Sequence, residues 1–169
     1  MKNSLAKSRK ARPNVPRDKA SLANFKDLAI FLTGGIDENR QILTSAEVYS
    51  IKSDTWTIAP DLNVRRQLHS MCSLGDRVYC FGGLGQYITI NNVEYIEAGT
   101  LLAGSQNQKW NLVTQRLLAN LKPRYLDVFC PIDNERIVIL GGRSSGRRHK
   151  DAYLLCTVSM TVEPLSTLS

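Results

Sequence analysis

Apolar residues along this chain fall into short runs that stop at paired glycines. Ile30-Phe31-Leu32-Thr33 runs into Gly34-Gly35, Val78-Tyr79-Cys80-Phe81 into Gly82-Gly83, and Ile137-Val138-Ile139-Leu140 into Gly141-Gly142. Runs of this length bounded by turn residues read as strands. Three copies in one chain read as an internal repeat. In the first unit the stretch 27–35 is the leading strand, followed by strands at 46–50 and 55–58, the last closed by Pro60 because proline cannot donate to a ladder. In the second, 68–74 turns through Gly75-Asp76 into 77–81, and strands at 92–96 and 110–114 follow. In the third, 126–132 turns through Asp133-Asn134-Glu135 into 136–140, followed by 152–156 and 158–162. The polar stretches 37–41, 97–109 and 143–150 read as loops.

The spacing supports one register. Gly35 and Gly83 are 48 residues apart and Gly83 and Gly142 are 59 apart, with the excess falling in connections, where insertions are tolerated. Tyr49, Tyr95 and Tyr153 are read as corresponding positions, as are Trp56 and Trp110, with Met160 in the tryptophan's place in the third unit.

A period near 50, a strand ending in Gly-Gly, a tyrosine on the next strand and a tryptophan on the one after resemble the kelch repeat. The first unit carries Gly34-Gly35, Glu47-Val48-Tyr49, Trp56 and Pro60, and Arg66-Gln67-Leu68-His69-Ser70 resembles the kelch lead-in to the next unit. The resemblance covers about residues 25–169 and weakens in the third unit, where no histidine follows Arg124. It implies an all-β fold, an incomplete kelch-type β-propeller of roughly three antiparallel blades behind a disordered N-terminal arm. The expected division is a basic flexible tail over 1–24, blade 1 over 25–62 with its first strand missing, blade 2 over 63–116 and blade 3 over 117–169. Tyr49, Trp56, Tyr95, Trp110 and Tyr153 are then packing residues between blades, His69 is structural, and the glycine pairs meet backbone or packing demands that a Cβ would oppose. An array of about three blades is expected to be part of a larger propeller or to self-associate through open blade edges, most readily at the Gly34-Gly35 blade.

Charge and composition narrow the chemistry. Most of the net charge of +7 sits in residues 1–20, which hold seven basic residues and one acid, so the basic pI belongs to the tail. The tail reads as a solvated arm; nucleic acid is not the expected partner, and tail-mediated nucleic-acid binding stands as a remote alternative. No apolar run reaches the length of a membrane span and no secretory h-region opens the chain. Cys72, Cys80, Cys130 and Cys156 sit singly in apolar runs, which points to free thiols in a reducing, cytoplasmic setting. Only His69 and His149 are histidines, and no nucleophile elbow, zinc-binding helix motif or phosphate loop is present. The expectation is a non-enzymatic chain with no cofactor and no metal.

The loops carry the candidate site. In a four-stranded blade, loops joining the second and third strands emerge on the same face as the connections between blades. That rule places Arg65, Arg66, Tyr87, Arg116, Lys122 and Arg124 on one face with Arg143, Arg147, Arg148, His149 and Lys150. It sends the insertion 97–109 to the opposite face. The family resemblance implies a protein-interaction scaffold, and the kelch adaptors of ubiquitin ligases are similar in using arginines on this face to hold acidic segments. The partner expected here is a protein, held through an acidic segment, with a ubiquitin-ligase adaptor role as an alternative.

Overall fold

Strands of four or five residues bury a face only against neighbouring sheets, and this chain builds three such sheets that lean on one another in sequence. The structure, a computed structural model, describes residues 11–105, 107–113, 118 and 120–165. Blade 1 is the antiparallel sheet β1 (Ser21–Phe25), β2 (Ala29–Thr33), β3 (Ala46–Ser50) and β4 (Thr55–Ala59), paired in that order. Blade 2 repeats it with β5 (Ser70–Leu74), β6 (Arg77–Phe81), β7 (Val93–Glu97) and β8 (Asn111–Leu112). A one-turn helix, α1 (Ala98–Leu102), lies between β7 and β8, so the expected loop at 97–109 is partly helical. Blade 3 runs β9 (Val128–Pro131), β10 (Arg136–Leu140), β13 (Ala152–Cys156) and β14 (Thr161–Pro164). The expected loop at 143–150 holds a small hairpin, β11 (Arg143–Ser144) and β12 (Arg147–Arg148). Ser145 and Gly146 both have positive φ there, the geometry of the tightest two-residue turns. The architecture is the expected one, blades of a kelch-type propeller.

Two expectations fail. The first is that blade 1 lacks its leading strand: β1 lies within residues 21–25 and pairs with β2 from Ser21↔Thr33 to Phe25↔Ala29. It was hidden because its turn is made by Lys26 and Asp27, both at positive φ, without the glycine or asparagine that marks such turns, and because only Ala23 and Phe25 of the strand are buried. The tail shrinks accordingly. Residues 11–20 are the lead-in to blade 1, and residues 1–10 lie outside the described residues.

The second is the tyrosine register. Counting back from the glycine pairs, Leu32 faces Glu47, Cys80 faces Glu94 and Ile139 faces Tyr153. Tyr49 therefore corresponds to Ile96 and Leu155, and Tyr95 to Val48. Each tyrosine still packs, but differently. Tyr49 stacks on Trp56 at 5.2 Å between ring centroids, Tyr95 on Tyr79 at 5.8 Å, and the Arg124 guanidinium sits 4.9 Å from the Tyr153 ring. The tryptophans do correspond: the Trp56 indole donates to Ala11 O (3.2 Å) and the Trp110 indole to Pro60 O (3.0 Å), each reaching the segment that leads into its own blade.

The blades meet through two apolar cores. Phe25, Phe31 and Val48 of blade 1 join Met71, Val78, Cys80 and Ile96 of blade 2; Tyr79 and Phe81 of blade 2 join Phe129, Ile137, Ile139 and Leu155 of blade 3. Beside each core runs a polar seam. The Gly35 N–H donates to Arg66 O (2.8 Å) and the Gly83 N–H to Arg124 O (2.9 Å), so in the first two pairs the second glycine binds the lead-in of the following blade. The first glycine is pressed against the same carbonyl. Gly34 and Gly82 have φ of 58° and 63°, and a Cβ on either would run into the Arg66 or Arg124 carbonyl oxygen. Glycine is needed here for both its backbone freedom and its lack of a side chain.

The same arginines reach into their own blades. The Arg66 guanidinium is buried, bonded to Gly82 O (2.9 Å) and to the Glu94 carboxylate, while Glu94 also accepts the Asn63 N–H (2.7 Å), the Asn63 side-chain amide (2.8 Å) and the Val64 N–H (3.2 Å). Blade 1 has the same clasp. Arg17 bonds Gly34 O, Ser45 O and Glu47, and Glu47 accepts from Asn14 and Val15. Burial alone would raise the Glu47 pKa, but the bonds from Asn14, Val15 and Arg17 outweigh it and hold the carboxyl below its ordinary value. In blade 3 the glutamate's position is Tyr153, and Arg124 binds Gly141 O (2.8 Å), the Tyr153 ring and Asp151 (3.3 Å) instead.

Two outcomes test this frame by urea denaturation. Glu94→Gln leaves the buried Arg66 charge without its counter-ion and should cost about 3–5 kcal/mol, whereas Glu97→Gln, in the half-exposed pair with Arg77, should cost under about 1 kcal/mol. Gly82→Ala should be far more damaging than Gly146→Ala, which shares the positive φ but has nothing within 4 Å of a Cβ and should cost about 1–2 kcal/mol.

Candidate protein-binding face

The hairpins within blades and the connections between them put basic residues in two clefts on one face. The first lies between blades 1 and 2 and encloses about 430 Å³. Arg40, Gln41 and Ile42 from the β2–β3 loop form one wall, Gly85 and Gln86 from the β6–β7 loop the other, and Arg65 and Gln67 from the interblade connection line it as well. The β2–β3 loop is held by its own bonds, Arg40 N–H to Asp37 O (3.0 Å) and Gln41 N–H to the Asp37 carboxylate (2.8 Å). Both arginines are exposed. Beside the cleft the β6–β7 loop raises Tyr87, 89% exposed, and Ile88.

The second cleft, about 620 Å³, belongs to blade 3 and is lined by Lys122, Ser144, Ser145, Arg147, Arg148 and His149. The β11–β12 hairpin builds it. Arg143 exchanges backbone bonds with Tyr125 (3.0 and 2.8 Å), tying the hairpin to the connection from blade 2. Arg143, Arg147, Arg148 and Lys150 are exposed. His149 is half-buried and shares a hydrogen bond with Ser144 (2.8 Å between Nε2 and Oγ). Its burial, and then the positive charge of Arg124, lower its pKa below the ordinary histidine value against the pull of Asp151. Asp151, an acid beside this cleft, is engaged by Lys122 (3.2 Å) and Arg124 (3.3 Å); these contacts and the Tyr153 hydroxyl outweigh burial and lower its pKa.

The candidate residues thus divide. Arg65, Tyr87, Arg143, Arg147, Arg148, His149 and Lys150 are at the surface of this face. Arg66 and Arg124 are not: both are fully buried in the seams, and their expected place among ligand-binding groups is corrected by that burial. Arg116 lies outside the described residues. Arg40 and Gln86 line the first cleft without having been singled out in sequence, because nothing in a lone loop arginine distinguishes it from an ordinary solvated charge. The buried arginines did carry a signal. Asn14-Val15-x-Arg17 recurs as Asn63-Val64-x-Arg66, 49 residues on, in step with the glycine pairs.

The position that opens each inner strand lies behind this face and differs in every blade. It holds Ala20, His69 and Asp127 in blades 1, 2 and 3. His69 bonds Thr33 of blade 1 (2.9 Å), and burial followed by the charge of Arg66 presses its pKa to about 3, so it is neutral and structural. Asp127 is pushed the other way, to about 7, by burial that outweighs its own backbone N–H, Arg124 and Ser70. Among the described residues, no group of three or more His, Cys, Asp or Glu could hold a metal ion, and no helix is long and apolar enough to cross a membrane.

Comparison with known proteins agrees with the repeat geometry. The Kelch motif family matches residues 25–63, which hold β2, β3, β4 and the Gly34-Gly35 pair. F-box/kelch-repeat protein At1g74510 of Arabidopsis thaliana is 36% identical over 73 residues, 43% of this chain and 16% of that protein. F-box/kelch-repeat protein SKIP11, from the same plant, is 35% identical over 72 residues, 43% of this chain and 15% of that one. Kelch-like protein 36 of Rattus norvegicus is 29% identical over 122 residues, 71% of this chain and 19% of the relative. The chain spans less than a fifth of the length of each of these relatives.

A carboxyl with a raised pKa stabilises the fold below its unfolded value and loses that contribution as pH rises through the folded value. For Asp127 the window runs from 3.8 to about 7. Asp127→Asn should therefore gain stability relative to the parent as pH is raised from 4 to 8, read as a growing difference in urea midpoint.

Proposed function

We propose that this chain, which carries kelch repeats, is a non-enzymatic protein-interaction module that holds an acidic segment of a partner across its basic face. One observation carries the reading: Arg143, Arg147, Arg148 and Lys150 stand exposed around the blade 3 cleft, while Asp151, the acid beside them, is already engaged. Guanidinium groups free of internal partners can grip carboxylates with two parallel bonds. Arg40 and Arg65 extend the same chemistry to the neighbouring cleft, and Tyr87 offers the kind of exposed aromatic anchor that dominates binding energy at interfaces. Asp37 and Glu38 line a third cleft with Pro16, Arg17, Asp18 and Ile36, so acidic side chains dilute the positive charge on the blade 1 side. A ubiquitin-ligase adaptor role is the alternative reading, supported by the likeness to F-box/kelch-repeat proteins over 43% of this chain.

A fluorescent peptide of alternating Asp, Glu and Gly or Ser should bind with an affinity that falls as salt is raised, and its Asn/Gln counterpart should not bind. Arg147→Glu with Arg148→Glu should weaken binding at least tenfold in an anisotropy titration, with the melting temperature unchanged, since both side chains are exposed. Equal binding of the two peptides, or full affinity in the double variant, would overturn the reading. Binding abolished only by deleting residues 1–10 would point to the basic arm instead.

A further inference from the structure

We infer that the outer face of blade 3 seats blade 1 of a second copy of this chain, head to tail, so that two copies close a six-bladed ring. The two seams within the chain state what an interblade contact requires. The leading blade offers a donor N–H on its second glycine, an open space over its first glycine, and apolar residues along its first three strands. The following blade offers the carbonyl of its lead-in arginine and an apolar set of its own. Both halves of this contact are present a further time, at opposite ends of the array.

Blade 3 presents the leading half. A Cβ on Gly34 or Gly82 would collide with the next blade's arginine carbonyl, but around Gly141 the nearest atom is His149 O at 3.8 Å. Among the described residues, the Gly142 N–H has no backbone acceptor, whereas Gly35 and Gly83 each have one. Leu140 is 42% exposed, although its equivalents Thr33 and Phe81 are fully buried by the following blade. Cys130 and Ile132 are exposed too, where Ala23 and Phe25 are covered in blade 1.

Blade 1 presents the following half. Arg17 is clasped by Glu47 as Arg66 is by Glu94, which fixes its backbone in the place from which Arg66 and Arg124 offer their carbonyls. No described backbone N–H bonds the Arg17 carbonyl. Lys19 has the left-handed φ of 54° that Leu68 (53°) and Leu126 (55°) share at the same point of the other two lead-ins. Leu22, 60% exposed, and the half-buried Leu32 stand where Met71 and Cys80 of blade 2 pack on blade 1. Ala20, equivalent to His69 and Asp127, leaves room beside a facing Gly141. Three blades from each copy give six, within the range in which propellers close. The arrangement is two-fold symmetric, with two equal contacts.

Sedimentation velocity and light scattering on the 169-residue chain should give twice its 18.9 kDa mass at micromolar concentration. Leu22→Glu and Leu140→Glu, both on exposed side chains, should each give a folded monomer by circular dichroism. Mixing the two variants should restore a dimer, because each contributes the face that the other lacks. A monomeric parent, a species larger than a dimer, a dimer insensitive to either variant, or a dimer lost only with Leu140→Glu would each overturn the head-to-tail ring. The outcome is independent of acidic-peptide binding, which Arg147 and Arg148 control.

Discussion

Each blade is fastened to the next through one arginine. The main chain of Arg66 belongs to blade 1, where its carbonyl takes the Gly35 N–H and its N–H reaches Leu43 O (3.2 Å), while its side chain belongs to blade 2, bonded to Gly82 O and Glu94. Backbone and guanidinium thus point into different sheets, and one sheet cannot shift against the other without breaking either the backbone bonds to blade 1 or the charge-assisted bonds to blade 2. The glycine pair follows from this constraint. The arginine carbonyl comes so close to the preceding blade that only a residue without a Cβ fits beneath it. The clasping glutamate follows as well, because a guanidinium taken out of water must meet a carboxylate.

Blade 3 shows what happens when part of this arrangement is replaced. Its arginine keeps the main-chain bond to blade 2 and the bond to Gly141 O, but Tyr153 takes the glutamate's place. The ring covers the guanidinium face and its hydroxyl bonds Asp151 (3.0 Å), which also contacts Arg124 and Lys122. The acid has moved from strand to loop, toward the face that holds the basic clefts. That shift makes Asp151 the point where the seam and the basic cleft touch, since one carboxylate serves the buried arginine below and the exposed lysine above.

Much of the fold was legible because strands and glycine pairs repeat at one period. The first strand escaped because Lys26 and Asp27 make its turn without the residues that announce one, and because a basic segment preceded it. The tyrosines misled the register because aromatic residues on neighbouring positions of a strand point to opposite faces; identity of residue type was taken for identity of place. Of the candidate site, the face rule could say only which loops emerge together, since blade geometry fixes where they emerge. It could not separate a buried arginine from an exposed one, because residue type is blind to burial.

The two kinds of arginine can nevertheless be told apart by position. Those that fasten blades sit three residues after Asn14 and Asn63, or at Arg124 in the matching lead-in, and keep step with the glycine pairs. Those left exposed are out of step with the repeat: Arg40, Arg143, Arg147 and Arg148 in the hairpins between second and third strands, and Arg65 beside Arg66. A periodic charge is held by the repeat that imposed the period, because every copy must meet the same buried demand. An aperiodic one answers to no such demand and is available to the surface. The net charge understates how locally the exposed charge is gathered, since the internal Arg17 and Arg66 are cancelled by the internal Glu47 and Glu94. In blade 3 the short β11–β12 hairpin concentrates it beside a seam whose own acid is already taken, and that local excess is what an acidic partner would meet.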